Sequence, residues 1–187
     1  MRIIAGAHRG KRLASVGKGD AGAHLRPTSD RVRESLFNLL LNGGYGDPIT
    51  DARVLDLFAG TGALGLEALS RGASHVTFVD DGTKARALLR ENIGLCAAQG
   101  VTKVFRRDAT RLGEAQGKPF DLVFLDPPYG KGLGEKALAS AQSGGWLAPD
   151  ALIIWEENTP PVLPEGCDLL DQRRYGDTLI TLARAIG

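Results

Sequence analysis

An apolar run that ends in a glycine loop constrains this chain more than any other feature. In the segment VLDLFAGTGALG (54–65), four of the first five residues are apolar and only Asp56 interrupts them. Continuous apolar residues are typical of a parallel strand that is covered on both faces. Gly60 and Gly62 then allow a sharp turn and the close approach of a ligand. The segment therefore predicts a buried strand, a ligand-binding turn and the start of a helix.

Asp56 distinguishes between two kinds of ligand for this turn. The glycine spacing also fits the dinucleotide fingerprint G-x-G-x-x-G, which is a weak signal by itself. A dinucleotide would place its pyrophosphate at the helix start, where the nearby carboxylate would repel it. The same carboxylate would attract a cofactor that carries an ammonium and a sulfonium group. We therefore predict S-adenosylmethionine, bound by Asp56, Phe58, Ala59, Gly60 and Gly62. A structural acid that caps the loop is the alternative role for Asp56.

Length and composition exclude several classes of protein. A chain of 187 residues is long enough for one domain with a substantial core. It contains no apolar stretch near twenty residues and no signal-peptide pattern, so we expect a soluble, cytoplasmic protein without a membrane partner. A monomer is the default expectation. Cys96 and Cys167 show no metal-ligand spacing with the histidines, which predicts buried free thiols and no metal site.

Positive charge is concentrated at the start of the chain. Residues 1–33 carry a balance of +6, whereas the remainder carries −5. This split predicts a basic extension at 1–27 that binds a polyanion, attached to a body at 28–187 that holds the small ligand. A solvated basic face is the alternative. Two short strand-like pieces around a glycine-flanked turn predict a hairpin, whose tip carries three candidate contacts for nucleic acid: Arg9, Lys11 and Arg12.

A helix is predicted after the basic extension. Thr28 or Ser29 can cap it, and apolar residues recur at helical spacing to about Leu41. Its polar side is expected to carry Arg31 and Arg33, and its start is expected to face the active site. We assign Arg26, Thr28 and Arg31 as further substrate contacts.

Two more acids follow predicted strands. Asp80 ends the strand beginning at His75, where nucleotide-binding folds place an acid on the ribose hydroxyls, with Asp81 as the neighbouring alternative. The next helix, from Thr83 to about Ala98, is expected to leave Arg86 in solvent. Asp108, with Ala109 beside it, follows the strand after that helix. Asp108 can accept a hydrogen bond from an adenine amino group or cap a helix.

The segment FDLVFLDPPY (120–129) is the second chemical motif. It is an apolar strand that ends in Asp126, two prolines and an aromatic residue. Prolines give a rigid turn of carbonyl acceptors, so Asp126 and the Pro127 carbonyl can accept the hydrogens of an exocyclic base amine and make its nitrogen nucleophilic. Tyr129 would stack on the extruded base through its ring, so Tyr129→Phe is expected to be mild. A plain Pro-Pro turn is the alternative.

Later segments complete a predicted sheet. They read as a helix from Glu135 to Ser143, a strand from Ala151 to Trp155, and a hairpin of 168–175 with 178–183. Together these elements predict an α/β fold with a mostly parallel, doubly wound sheet.

The ordered motifs DLFAGTGALGLEAL, FVD and DPPY resemble class I S-adenosylmethionine-dependent amino-methyltransferases, which have a Rossmann-like, seven-stranded sheet with an antiparallel last strand. The segments RIIAG, RPTSDRVRESLFNLL and YGDTLITLAR further resemble the bacterial 16S ribosomal RNA guanine-N2 methyltransferases of the RsmD family. The resemblance implies methylation of one guanine amine in 16S RNA, within a partly assembled small subunit. Arg107 departs from the pattern, since a small residue is expected there.

Two other functions remain open from the sequence. A DNA or RNA methyltransferase acting on adenine or cytosine amines would share the cofactor half, because DPPY does not by itself choose the base. A non-catalytic scaffold of ribosome assembly that binds S-adenosylmethionine is the candidate from another class.

Overall fold

The computed structural model describes residues 1–16 and 28–187. Its strands are β1 (Arg53–Leu57), β2 (His75–Val79), β3 (Thr102–Phe105), β4 (Phe120–Leu125), β5 (Leu147–Glu157), β6 (Cys167–Tyr175) and β7 (Thr178–Ala185). Its α-helices are α1 (Asp30–Asn42), α2 (Ala63–Ser70), α3 (Thr83–Leu95) and α4 (Leu133–Ser143). No helix in the described ranges is long and apolar enough to cross a membrane.

The strands form one seven-stranded sheet in the order β3-β2-β1-β4-β5-β7-β6. Strands β1 to β5 pair in parallel, and β7 inserts antiparallel between β5 and β6. The predicted doubly wound sheet with an antiparallel last strand is therefore confirmed. Because β1, β2 and β4 run side by side in one direction, the loops that follow them meet at one edge of the sheet.

Both faces of the sheet are covered, which explains the continuous apolar run of β1. Val54 packs into a cluster with α1, α2 and α3, whereas Leu55 and Leu57 pack into a second cluster with α4. Successive side chains of a strand point to opposite faces. All three are fully buried, so β1 has no solvent-exposed face that would require alternating polar residues.

The N-terminal segment forms a short version of the predicted hairpin. Its two arms meet in one antiparallel bridge between Arg2 and Arg12, and three backbone bonds join them: Ile3 N–H to the Lys11 carbonyl at 2.9 Å, Leu13 N–H to the Met1 carbonyl at 3.0 Å and Gly10 N–H to the Ile3 carbonyl at 2.8 Å. Other peptide groups of the segment bond to α2. Glu67 accepts from Ile4 N–H at 2.8 Å and from the next N–H at 3.1 Å, which competes with strand pairing. The division of the chain at residue 27 stays a prediction.

Two arginines expected in solvent are buried. Arg33 is inaccessible on α1, where its guanidinium pairs with Glu67 at 3.5 Å, donates to the Arg2 carbonyl at 2.8 Å and contacts Asp30. Arg86 is also buried on α3. The helix start predicted at 28–29 is confirmed, with Ser29 as the cap. Both cysteines are free, and Cys167 is only half-buried.

Candidate active site

A cavity of about 830 Å³ opens at the sheet edge where β1, β2 and β4 end. The loops after these strands supply most of its walls, at residues 56–61, 80–85 and 126–129, except that Leu57 does not line it. The predicted cofactor and catalytic motifs therefore share one cavity. This follows from the topology, because the strands that precede the loops are parallel neighbours.

The glycine loop adopts left-handed backbone at three positions. Phe58 has φ of 56°, Gly60 of 57° and Gly62 of 81°. This region is costly for a residue with a β-carbon, and such strain concentrates at ligand-binding sites. Gly62 does not line the cavity, and a β-carbon there would come within 2.4 Å of the Leu89 side chain. Phe58, Ala59 and Gly60 line the cavity.

Asp56 lies at the base of the cavity with 1 % of its surface exposed. Its Oδ2 accepts a hydrogen bond from Gly65 N–H at 3.0 Å, which is the loop-capping role considered as an alternative. Burial raises the pKa of the Asp56 carboxyl well above its usual range; the Gly65 bond opposes this and Asp80 adds to it. No cationic side chain in the described residues pairs with this carboxylate. A positively charged ligand group would compensate its charge.

Asp80 holds the glycine loop in shape. Its Oδ2 accepts from Gly60 N–H at 2.9 Å and its Oδ1 accepts from Gly82 N–H at 2.8 Å. Burial raises the pKa of Asp80, against the lowering effect of these two bonds. Asp81 also lines the cavity but is exposed and makes neither of these contacts. The ribose role stays a prediction, and the geometry favours Asp80 because its carboxylate is already fixed at the loop.

The DPPY turn forms the opposite wall. Asp126, Pro127 and Tyr129 all line the cavity. The Tyr129 hydroxyl donates to Glu156 Oε1 at 3.0 Å and lies 3.3 Å from Thr178 Oγ1. Burial, together with the charges of Glu156 and Asp126, raises the pKa of Tyr129 well above its usual range. The hydroxyl is therefore a protonated donor at neutral pH and not an incidental group on a stacking ring.

Glu156 is a buried residue of the site region that the sequence motifs did not identify. Its second oxygen, Oε2, accepts from Thr28 Oγ1 at 2.8 Å, so it joins the DPPY turn to the segment that enters α1. Thr28 lines the cavity as predicted. The available signal was the acid pair Glu156-Glu157 at the end of β5, a placement similar to that of the acids at the ends of β1, β2 and β4.

The residues after β3 do not join the cavity. Asp108 is exposed and caps a short 3-10 turn, where its Oδ1 accepts from Thr110 N–H at 2.9 Å. Hydrogen bonds from Thr110 lower the pKa of Asp108. Ala109 is buried and does not line the cavity either. Arg107 stacks over Phe105 at 4.9 Å and donates to the Leu112 carbonyl. An adenine contact by Asp108 stays a prediction.

The basic tip lies away from the cavity. The turn at 7–8 contacts Ser70, at the far end of the helix that begins at the cavity with Ala63. Seven helical residues correspond to about 10 Å. Arg9 and Arg12 are exposed, whereas Lys11 Nζ donates to the Leu95 carbonyl at 2.7 Å at the end of α3. Exposed Arg31 is on α1, and Arg26 lies outside the described residues.

The N-terminal segment also reaches the cavity, which the sequence did not indicate. Met1, Ser15 and Val16 line it. The buried amide of Asn92 holds this segment, because it accepts from Ala14 N–H at 2.7 Å and donates to the Ala14 carbonyl at 3.0 Å. The same amide donates to the carbonyl of Thr61, in the glycine loop, at 2.9 Å. One side chain thus joins the basic extension to the cofactor loop.

Comparison with known proteins gives the family. A sequence model of the family described as Conserved hypothetical protein 95 matches residues 1–184. This chain belongs to that family. It is 38% identical to ribosomal RNA small subunit methyltransferase D of Escherichia coli K12 over 185 residues, covering 97% of this chain and 88% of the relative. The protein of that name from Haemophilus influenzae is 38% identical over 181 residues, covering 94% and 89%. The resemblance to the RsmD family is confirmed.

Solved structures agree with this membership. The Escherichia coli protein yhhF superposes with a TM-score of 0.82 at 35% identity, covering 100% of this chain and 98% of that one. TrmN from Thermus thermophilus superposes with a TM-score of 0.67 at 24% identity, covering 83% of this chain and 48% of that one, and shows the shared fold alone. The fold is the class I, Rossmann-like methyltransferase fold predicted from the motifs.

Proposed function

We propose that this chain transfers a methyl group from S-adenosylmethionine to the N2 amine of a guanine in 16S ribosomal RNA, within a partly assembled small subunit in the cytoplasm. The observation that carries the proposal is the shared cavity, which brings Asp126-Pro-Pro-Tyr129 to the same sheet edge as Asp56 and Asp80. The relatives named ribosomal RNA small subunit methyltransferase D support the substrate class.

The cavity fits S-adenosylmethionine on its own chemistry. Asp56 is a buried carboxylate whose charge is compensated by one backbone N–H, so the ammonium of the cofactor would supply the missing cation. Asp80 has both oxygens placed at the loop, with lone pairs left for ribose hydroxyls. When bound, the cofactor supplies the methyl group. We assign its remaining contacts to Phe58, Ala59 and Gly60, which line the cavity.

Asp126 and Pro127 are assigned to the target amine. An exocyclic amine has two N–H donors and a lone pair delocalised into the base. Acceptance of its hydrogens by the Asp126 carboxylate and the Pro127 carbonyl would localise that lone pair on nitrogen. Tyr129, on the same turn, would stack on the base after it leaves its surroundings. Guanine is the base that the resemblance implies.

The RNA surface is assigned to the segment around the cavity mouth and the basic extension. Thr28 lines the cavity, and exposed Arg9 follows the turn at 7–8 that contacts Ser70, about 10 Å along α2 from its cavity end. Arg12 is also exposed and pairs with Arg2 on the other arm of the extension. A backbone crossing this distance would place several phosphates between the active site and the tip. Lys11 is partly engaged by the Leu95 carbonyl, so it is expected to contribute less than the two arginines.

Tritium transfer tests the reaction and separates its alternatives. Labelled S-adenosylmethionine is incubated with this protein and with naked 16S RNA, duplex DNA or small subunits from cells that lack the enzyme. The proposal expects label in the RNA of the subunits, at N2-methylguanine after nuclease digestion. Label in DNA, or in a base other than guanine, would contradict guanine N2 methylation. It would instead identify the protein as an amino-methyltransferase for that nucleic acid or base. Tight cofactor binding without transfer to any substrate would favour the scaffold.

A salt series tests the RNA surface. Phosphate contacts release counterions, so each contact that is lost should flatten the log–log dependence of RNA affinity on salt by about one unit. The triple replacement of Arg9, Lys11 and Arg12 with Ala should flatten the slope by about two units, because Lys11 is engaged with α3. S-adenosylmethionine affinity should be unchanged. An unchanged slope would mean that these residues form a solvated face and that RNA binds elsewhere.

A further inference from the structure

The Tyr129 ring is held at its hydroxyl end by residues that arrive from distant parts of the chain. The hydroxyl contacts Glu156 at the end of β5 and Thr178 at the start of β7. Both partners are buried, with 6% and 8% of their surfaces exposed. They belong to paired central strands, where Glu156 lies opposite Ile180 in the antiparallel ladder of β5 and β7. The ring is therefore fixed to the rigid sheet and not only to its own turn.

Glu156 also connects this ring to the entrance of α1. Its Oε1 accepts from Tyr129 while its Oε2 accepts from the Thr28 hydroxyl. A carboxylate suits this position because it accepts hydrogen bonds at both oxygens, and such charge-assisted bonds are short and directional. Glu156 itself does not line the cavity, whereas Tyr129 and Thr28 do.

We propose that Glu156 is a positioning residue that orients the Tyr129 ring for the target base through the phenol hydroxyl. The inference rests on the proposed function, since it takes Tyr129 as the stacking platform. It replaces the expectation that the hydroxyl is dispensable, because a ring tethered at one end only can tilt away from the plane that stacking needs. A small tilt of a positioning group lowers the rate without changing cofactor affinity.

A double-mutant cycle on methylation tests this role. Single-turnover rates are measured with small subunits from cells lacking the enzyme. Tyr129→Phe and Glu156→Ala should each lower the rate by roughly five- to tenfold, the scale of one typical intramolecular hydrogen bond. If Glu156 acts through the hydroxyl, the double variant should be no slower than Glu156→Ala, within about twofold. Multiplied losses of about 25- to 100-fold would overturn the proposal.

Two further variants separate positioning from general stability. Glu156→Gln keeps an oxygen acceptor for Tyr129 and should recover to within about threefold of the wild-type rate. Glu157→Gln is the matched control, because it makes the same change at a neighbouring buried carboxylate that accepts from Gly130 N–H at 3.2 Å. It should leave the rate unchanged. A fall in S-adenosylmethionine affinity in parallel with the rate of Glu156→Ala would indicate a damaged fold and overturn the positioning role.

An NMR measurement reports on the contact without using activity. The protein has three tyrosines, so ζ-carbon-labelled tyrosine gives few resonances and Tyr129→Phe assigns the one of interest. Glu156→Ala should move the Tyr129 resonance, and Glu157→Gln should not. An unmoved resonance would overturn the proposed contact. Absence of methyl transfer by the wild type would instead overturn the proposed function, while the resonance still decides whether Glu156 holds Tyr129.

Discussion

Replacement of Asp80 by Asn is the sharpest test of the cofactor site, because the two oxygens of this carboxylate face two backbone donors. One accepts from Gly60 N–H at 2.9 Å and the other from Gly82 N–H at 2.8 Å. An Asn side chain offers one oxygen and one NH₂ group. In either orientation the NH₂ group faces a backbone N–H, so one loop bond is replaced by a contact between two donors. The nearly isosteric change should therefore be as harmful as Asp80→Ala.

The expected magnitude follows from these contacts. A hydrogen bond to a charged group contributes about 1.5–3 kcal/mol. Loss of one such contribution weakens binding by roughly ten- to a hundredfold. Asp80→Asn loses a loop bond and also the negative charge that is expected to accept from the ribose hydroxyls. Its affinity for S-adenosylmethionine should therefore be at least roughly ten- to a hundredfold weaker than that of the wild type. The affinity of Asp80→Ala should fall by a similar factor, because Ala introduces no contact between two donors but provides no acceptor for the loop or for the ribose.

Isothermal titration calorimetry with S-adenosylmethionine measures the effect. Asp81→Asn is the matched control, since it makes the same change at the adjacent exposed acid of the cavity wall. It should bind within about twofold of the wild type, as surface changes usually do. Unchanged affinity of Asp80→Asn would refute the reasoning. A large loss in Asp81→Asn alone would transfer the ribose contact to Asp81.

Three other outcomes are expected. Asp126→Ala should lower the single-turnover methylation rate by roughly 10²–10³ while cofactor affinity by calorimetry stays nearly intact, and equal losses in both would contradict a role at the amine. Glu67→Gln should cost about 3–5 kcal/mol in urea unfolding, because it removes the buried negative charge that pairs with both Arg33 and Arg71; exposed Glu34→Gln is the control. Burial raises the pKa of Asp56 in the folded state, so this residue's contribution to stability is present below the usual pKa and is lost as the pH rises through the raised value. Asp56→Asn should therefore gain stability relative to the wild type over that interval, and parallel urea midpoints at every pH would contradict the assignment.

The predicted acids came together because strand order governs them. Asp80 and Asp126 directly follow buried apolar strands and Asp56 is the next-to-last residue of one, and parallel neighbouring strands place such residues at one edge. Asp108 shows the limit of this argument. It also follows a parallel strand, but β3 lies at the outer edge of the sheet and Asp108 turns to cap its own 3-10 turn. A local hydrogen bond from Thr110 supplies its partner there.

Apolar periodicity, glycine turns and strand ends are local signals, so the sequence alone determined the mostly parallel sheet and the motifs of the cavity. The antiparallel last strand was expected only from the resemblance to class I methyltransferases. Contacts between residues far apart in the chain were decided by the tertiary structure. Glu67 is 63 residues from Ile4 and Glu156 is 128 residues from Thr28. No local sequence pattern indicates the hydrogen-bond partner of either carboxylate. Burial decides such cases, since a charged group removed from water must find hydrogen-bond partners wherever the packed chain supplies them. This is why Arg33 became a core residue and the Tyr129 hydroxyl became part of the site.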